Sequence, residues 1–179
     1  MERKYILFAI GSVAFVGIML MLYASRTGIF YAETCKEGEV LAIFSPENSD
    51  EILALLNGAK REIKLEVYEF SYRTLADALI EARSRGVSVQ VVLEPSVAAN
   101  TKTSEYLLNG GVNVAWASKK FHNTHSKFAV IDDAAVLVGS TNWSQNAMLY
   151  NREASVIVYS NDVAKSFERI FDADYATGS

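Results

Sequence analysis

The chain has 179 residues, 50% of them hydrophobic, with 17 Lys and Arg against 21 Asp and Glu and a formal charge of −4. That is enough for one globular domain plus an appendage, and an acidic body does not mark a general nucleic-acid binder. The single cysteine, Cys35, excludes an intrachain disulfide framework and a Cys-rich zinc site, and no histidine or carboxylate spacing points to a metal.

Tyr5 to Tyr23 is a run of 19 residues without a charge. As a helix it spans about 28 Å, close to the hydrocarbon thickness of a bilayer. Apolar residues on every face disfavour a half-buried core helix. The run is longer than a signal-peptide core, and no A-x-A cleavage site follows it. Residues 1–24 are therefore expected to form a transmembrane anchor, with a cleaved signal and secretion as the alternative. Arg3 and Lys4 before the run lean weakly to an outward-facing domain. Residues 25–38 read as a polar linker, and residues 39–179 as the folded domain.

From Glu39 the pattern alternates between strand and helix. Val40–Phe44 is a short apolar strand stopped by Ser45-Pro46. Asn48 or Ser49 can cap a helix running through Ala59. Glu62–Phe70 alternates as a strand. Thr74–Arg85 is amphipathic and stops at Gly86. Val87–Leu93 is a strand rich in β-branched residues. A helix is expected over Thr103–Leu108, then strands over Val112–Trp116, His125–Ile131, Ala135–Gly139 and Glu153–Tyr159, and a closing helix over Asp162–Tyr175. Asp132-Asp133 makes a turn-like step between two of these strands. The order predicts an α/β layered domain.

The chemistry concentrates in His125-Ser126-Lys127 and in Gly139-Ser140-Thr141-Asn142. At strand period two, His125 and Lys127 share one face. An unpaired buried ammonium costs several kcal/mol, so the pair belongs either to the solvated end of an edge strand or to a phosphate site. Gly139 permits close backbone approach. Ser140 and Asn142 add neutral donors, and Glu153 can hold an imidazole in one tautomer. Lys119, Lys120, His122 and Arg152 add local positive charge. Lys119, Lys120, Phe121 and His122 interleave cations with an aromatic ring, a pattern that suits a strand's phosphates and bases or simply a solvated loop. Trp143 reads as core packing or as a stacking surface.

H-x-K-x4-D followed by G-S-x-N resembles the signature of the phospholipase D superfamily, carried here by His125, Lys127, Asp132, Gly139, Ser140 and Asn142. Phe44-Ser45-Pro46, the Ala82–Val87 segment and Asn151-Arg152-Glu153 are similar to family segments as well. The resemblance implies a mixed central sheet flanked by helices on both faces. It implies a metal-free phosphodiesterase without cofactors, in which His125 attacks phosphorus and forms a phosphohistidine. Lys127 and Asn142 then hold the phosphate oxygens with help from Ser140, Glu153 orients His125, and Asp132 supports. A second histidine is needed for the leaving oxygen. Larger members carry two motifs. This chain carries one, and its other histidine, His122, should face away. The expectation is a homodimer that shares one composite site. Single-motif members include endonucleases and membrane-anchored mitochondrial forms assigned to RNA or cardiolipin, so the expected substrate is nucleic acid, with phospholipid as the alternative. An inactive anchored binding module ranks last.

Overall fold

A computed structural model describes residues 37–47 and 49–178. The expected anchor, most of the linker, Cys35 and the Asn48 cap lie outside the described residues. Among the described residues, no helix is long and apolar enough to cross a membrane.

The strands are β1 (Val40–Ser45), β2 (Glu62–Val67), β3 (Ser88–Leu93), β4 (Asn113–Trp116), β5 (Lys127–Ile131), β6 (Ala135–Gly139) and β7 (Glu153–Tyr159). The helices are α1 (Ser49–Gly58), α2 (Arg73–Ser84), α3 (Ala98–Asn109), α4 (Gln145–Leu149) and α5 (Asn161–Thr177). The strands form one sheet in the order β1-β7-β6-β5-β2-β3-β4. β2, β3 and β4 run parallel, linked by α2 and α3 as crossovers. β5, β6 and β7 follow in succession and pair antiparallel, and β1 closes the far edge against β7. The mixed α/β architecture is as expected.

Strand alternation divides the core into two layers. Ile63, Leu65 and Val67 of β2 enter a cluster with Ile52 and Leu56 of α1, Leu75 and Leu79 of α2, and Leu107 of α3. On the opposite face Phe128, Val130 and Val136 pack with Ala164 and Phe171 of α5. Helices therefore cover both faces of the sheet. Aromatic contact reinforces the second layer, where Phe128 and Phe167 meet edge to face at 5.0 Å.

The bounds of β6 and β7 agree with the sequence reading. α3 begins at Ala98, five residues ahead of the expected Thr103. Its N-cap, Val97, offers no side-chain cap, so the start carries no capping signal. Tertiary contacts fix it instead. Asn100, fully buried, accepts from the Phe70 amide at 2.8 Å and donates to the carbonyls of Tyr68 and Glu94 at 2.9 and 2.8 Å. The short helix α4, capped by Ser144, was not expected from the sequence. The motif strand starts at Lys127 rather than at His125, although Tyr68 still donates its amide to the Ser126 carbonyl at 3.0 Å.

Candidate active site

Antiparallel pairing explains why residues far apart in sequence meet. β5 and β7 begin, and β1, β2 and β6 end, at the same edge of the sheet. Val67 stands opposite Lys127, Ser45 opposite Glu153, and Gly139 opposite Ser155. His125, Lys127, Ser140, Asn142 and Glu153 thus come from strand ends or from the loops just beyond them.

The two cationic members touch. Lys127 Nζ lies 3.0 Å from His125 Nδ1 and donates to the His125 carbonyl at 2.6 Å. The Tyr68 ring lies 4.2 Å, centroid to centroid, from the imidazole, and the Lys127 ammonium sits 5.1 Å from the same ring. Burial pushes the Lys127 ammonium below its ordinary pKa, while the negative charges of Glu153 and Glu69 push it back up. His125 itself is exposed. The arrangement holds an imidazole open to solvent beside a partly desolvated cation, which is what an incoming phosphate needs.

Glu153 stands elsewhere than expected. Ser140 Oγ donates to Glu153 Oε2 at 2.6 Å, and Asn151 Nδ2 donates to Oε1 at 3.2 Å. The backbone amide of Glu153 reaches Ser45 Oγ at 3.3 Å, and that hydroxyl donates to the Asn151 carbonyl at 2.9 Å. Both carboxylate oxygens thus hold the β6–β7 side of the site together. The group that touches the imidazole is Lys127, and Glu153 acts on Lys127 through its charge. Asn142 Oδ1 is buried with no hydrogen-bond partner among the described residues, so this amide is not yet saturated.

Three expectations need correction. Asp132 does not join the cluster. It lies at the far end of β5, roughly 16 Å of strand from Lys127. Its backbone is left-handed, φ 55°. Its carboxylate accepts from the amides of Lys60, Arg61 and Glu62 at 2.8, 2.7 and 3.0 Å, so it pins the β5–β6 turn to the start of β2. Trp143 cannot stack on a ligand, because it is 2% exposed and packs edge to face on Phe70 at 5.2 Å. Arg152 adds little free charge, since Glu47 takes its guanidinium through two contacts, one of 2.8 Å.

Gly139 is needed, but for packing rather than for a ligand. A Cβ there would lie 2.2 Å from Ser155 Oγ and 2.4 Å from the Ala154 carbonyl oxygen. β7 therefore passes too close for any other residue, and this contact brings Ser140 to Glu153.

Beside the cluster, a hollow of about 620 Å³ is lined by Glu94, Ser96, Lys119, Lys120, Phe121 and His122 among others. Lys119, Lys120, Phe121 and His122 are exposed. Glu94 was missed in the sequence reading. Its carboxylate accepts from the Thr124 amide at 2.7 Å and from the Ser96 amide at 3.0 Å, and it thereby fixes the loop that delivers His125. Burial raises its pKa, but the bonds from Ser96 and Thr124 and the charge of His122 together hold it below the usual carboxylate range. Glu94, Asn100 and Tyr68 carry no motif. The one signal, for Tyr68 and Glu94, was a polar or aromatic side chain just past the C-terminal end of an apolar strand; Asn100, inside α3, had none.

Sequence spacing also gave no sign of Glu62, Asp133 and Glu168, whose carboxylates gather at the Asp132 end. Arg61 and Lys64 offset their charge at 2.9 Å each.

Residues 52–175 match the family model described as "Cardiolipin synthase, PLD-like domain". The chain is 35% identical over 122 residues to a mitochondrial cardiolipin hydrolase of Xenopus tropicalis, a match covering 68% of this chain and 58% of the relative. It is 32% identical over 137 residues to cardiolipin synthase B of Salmonella typhimurium, covering 68% of this chain and 33% of that one. The chain thus spans less than two thirds of the length of these curated relatives. Among solved structures it is similar to Nuc from Salmonella typhimurium, described as a phospholipase D family member. That likeness has a TM-score of 0.76 and 27% identity, over 80% of this chain and 97% of that one. NucT from Helicobacter pylori, at 22% identity and a TM-score of 0.71 over 79% of this chain and 98% of that one, shares the fold.

Proposed function

This chain belongs to the phospholipase D superfamily, in its single-motif branch, and from that premise we propose that it is a metal-independent phosphodiesterase acting on DNA or RNA. The observation that carries the reading is the 3.0 Å contact between His125 and Lys127, at a sheet edge that also gathers Ser140, Asn142 and Glu153. His125 attacks phosphorus. Lys127 and Asn142 take the non-bridging oxygens, where charge develops in the transition state. Ser140, held by Glu153, lies on the same side. The hollow with Lys119, Lys120, Phe121 and His122 supports a polyanionic strand, since cations and an aromatic ring suit phosphates and bases.

The leaving oxygen needs a proton donor with a pKa near working pH. The chain has two histidines, and His122 stands on the Glu94 hollow. His125 of a second copy supplies the group in our reading, so that a homodimer shares one site. Phe44 and Tyr150, 44% and 70% exposed, stand near Glu153 in sequence or register and support a partner there. Co-expression of His125→Ala with wild type tests the sharing. Mixed dimers should lose activity, and full activity in them sinks the composite site.

Those same exposed aromatics, with relatives named cardiolipin hydrolase and cardiolipin synthase, favour a second reading as a phospholipase. An N-terminal anchor over 1–24 that holds residues 39–179 at a membrane, facing outward, is compatible with both. Labelled single-stranded and double-stranded nucleic acid and cardiolipin vesicles, each offered with a chelator, separate them. Salt-sensitive cleavage of nucleic acid supports the nuclease. Lipid turnover alone reverses the ranking, and loss of activity with chelator overturns the metal-free mechanism.

A further inference from the structure

β2 turns Glu62, Lys64 and Glu66 toward α5. Lys64 finds carboxylates there, Glu168 at 2.9 Å and Asp172 at 3.2 Å. Glu66 finds no cation. It is 2% exposed, its Oε1 accepts a short hydrogen bond from the Ser126 hydroxyl, and its Oε2 has no partner. An unpaired buried carboxylate is costly unless it keeps its proton.

Ser126 sits between His125 and Lys127 and points to the other face of the sheet. β2 and the residue that follows it hold it twice, by the Tyr68 amide on its carbonyl and by Glu66 on its hydroxyl. The twist of the chain at Ser126 therefore sets where the neighbouring imidazole and ammonium point. We propose that Glu66 is a positioning residue for His125 and Lys127, acting through Ser126 from behind the sheet. The inference rests on the reading of His125 and Lys127 as the reacting pair.

The environment gives this device a pH dependence. Burial raises the Glu66 carboxyl, the Ser126 bond lowers it, and the charge of Asp174 raises it, with the balance pushed up to about 7. Asp174 is the charged group facing it from α5. The residues level with Glu66 on the flanking strands, Phe128 of β5 and Val92 of β3, do not titrate. Above neutral pH, Glu66 and Asp174 both carry charge with no cation between them, and the support behind His125 weakens.

The test uses the full chain and bis(4-nitrophenyl) phosphate, a chromogenic phosphodiester. Ser126→Ala should lower kcat about 10- to 100-fold, the scale of a misplaced reacting group, with KM nearly unchanged. Ser126→Cys, a weaker donor in a similar volume, should fall between. Glu66→Gln should keep wild-type kcat at pH 6 and lose the alkaline decline, whereas Asp174→Asn, which removes only a lesser raising cause, should shift that decline to lower pH. Histidine-labelled NMR gives a readout independent of turnover, because the chain has two histidines and a His122 variant assigns them. The His125 ring signal should move in Ser126→Ala and lose its alkaline change in Glu66→Gln, while that of His122 stays. If wild type does not cleave the diester, the functional reading fails, and the NMR arm still decides the positioning role. Wild-type kcat in Ser126→Ala, or a His125 signal unmoved in both variants, overturns the inference.

Discussion

The two ends of β5 treat their polar side chains in opposite ways. At the Asp132 end, one carboxylate accepts three backbone amides and the turn is closed. At the Lys127 end, an exposed imidazole, a half-desolvated ammonium and a buried amide oxygen without a partner stand together. A saturated group has no capacity left for a ligand and contributes stability. An unsaturated group at a fixed position costs stability and is available for chemistry. A motif that spells both ends in one breath does not tell them apart.

The sharpest way to break this comparison is at its reactive end. His125→Ala should lower phosphodiester cleavage at least about 1,000-fold, on the order of 4 kcal/mol in the barrier, and leave the melting temperature nearly unchanged. Steady-state kinetics and a thermal melt on one preparation check both halves. Asp132→Ala should do the reverse. Losing three bonds to a charged acceptor should cost about 2–3 kcal/mol of stability, read by denaturant titration, while kcat per folded molecule stays close to wild type. A large loss of kcat in folded Asp132→Ala would return this residue to the site.

Asn142→Ala sharpens the same contrast more gently. We expect about a 100- to 1,000-fold fall in kcat, the scale for one oxyanion donor, with little change in stability because its Oδ1 has no bond to lose. The smallest effect is on pH. Glu66 and Glu62 are both raised from 4.5 to about 7, each mainly by burial. The folded state therefore holds protons that the unfolded state has released, and stability falls as pH rises from about 4.5 through 7. Denaturant midpoints across that window should show Glu66→Gln gaining on wild type as pH increases. A constant difference would mean that Glu66 does not titrate there.

Much of this was legible in the sequence because the signals are local. Period-two apolar runs placed β6 and β7, and spacing put His125 and Lys127 on one side. What escaped depends on residues far apart. Asn100 fixes the start of α3 by bonding to Tyr68, Phe70 and Glu94, and no capping pattern announces that. Glu94 steers the His125 loop from a different strand. Gly139 looked like room for a ligand, yet the space is taken by β7. Glu153 looked like a partner for an imidazole, and its bonds to Ser140 and Asn151 become visible only when β6 and β7 are laid side by side.

The strand order also bears on how the protein is made. Among the described residues β1, the first strand of the sheet, pairs only with β7, the last. During synthesis β1 emerges early and waits, its backbone unpaired and its Ile43, buried in the finished fold, uncovered, until more than a hundred further residues have followed it. Ser45 meets Glu153 in that final pairing. The parallel half can assemble around β2 beforehand, but closing so long a loop comes late and slowly. A chain released before β7 would carry the His125 motif and lack the wall that completes its site, so the catalytic edge is among the last parts a nascent chain can finish.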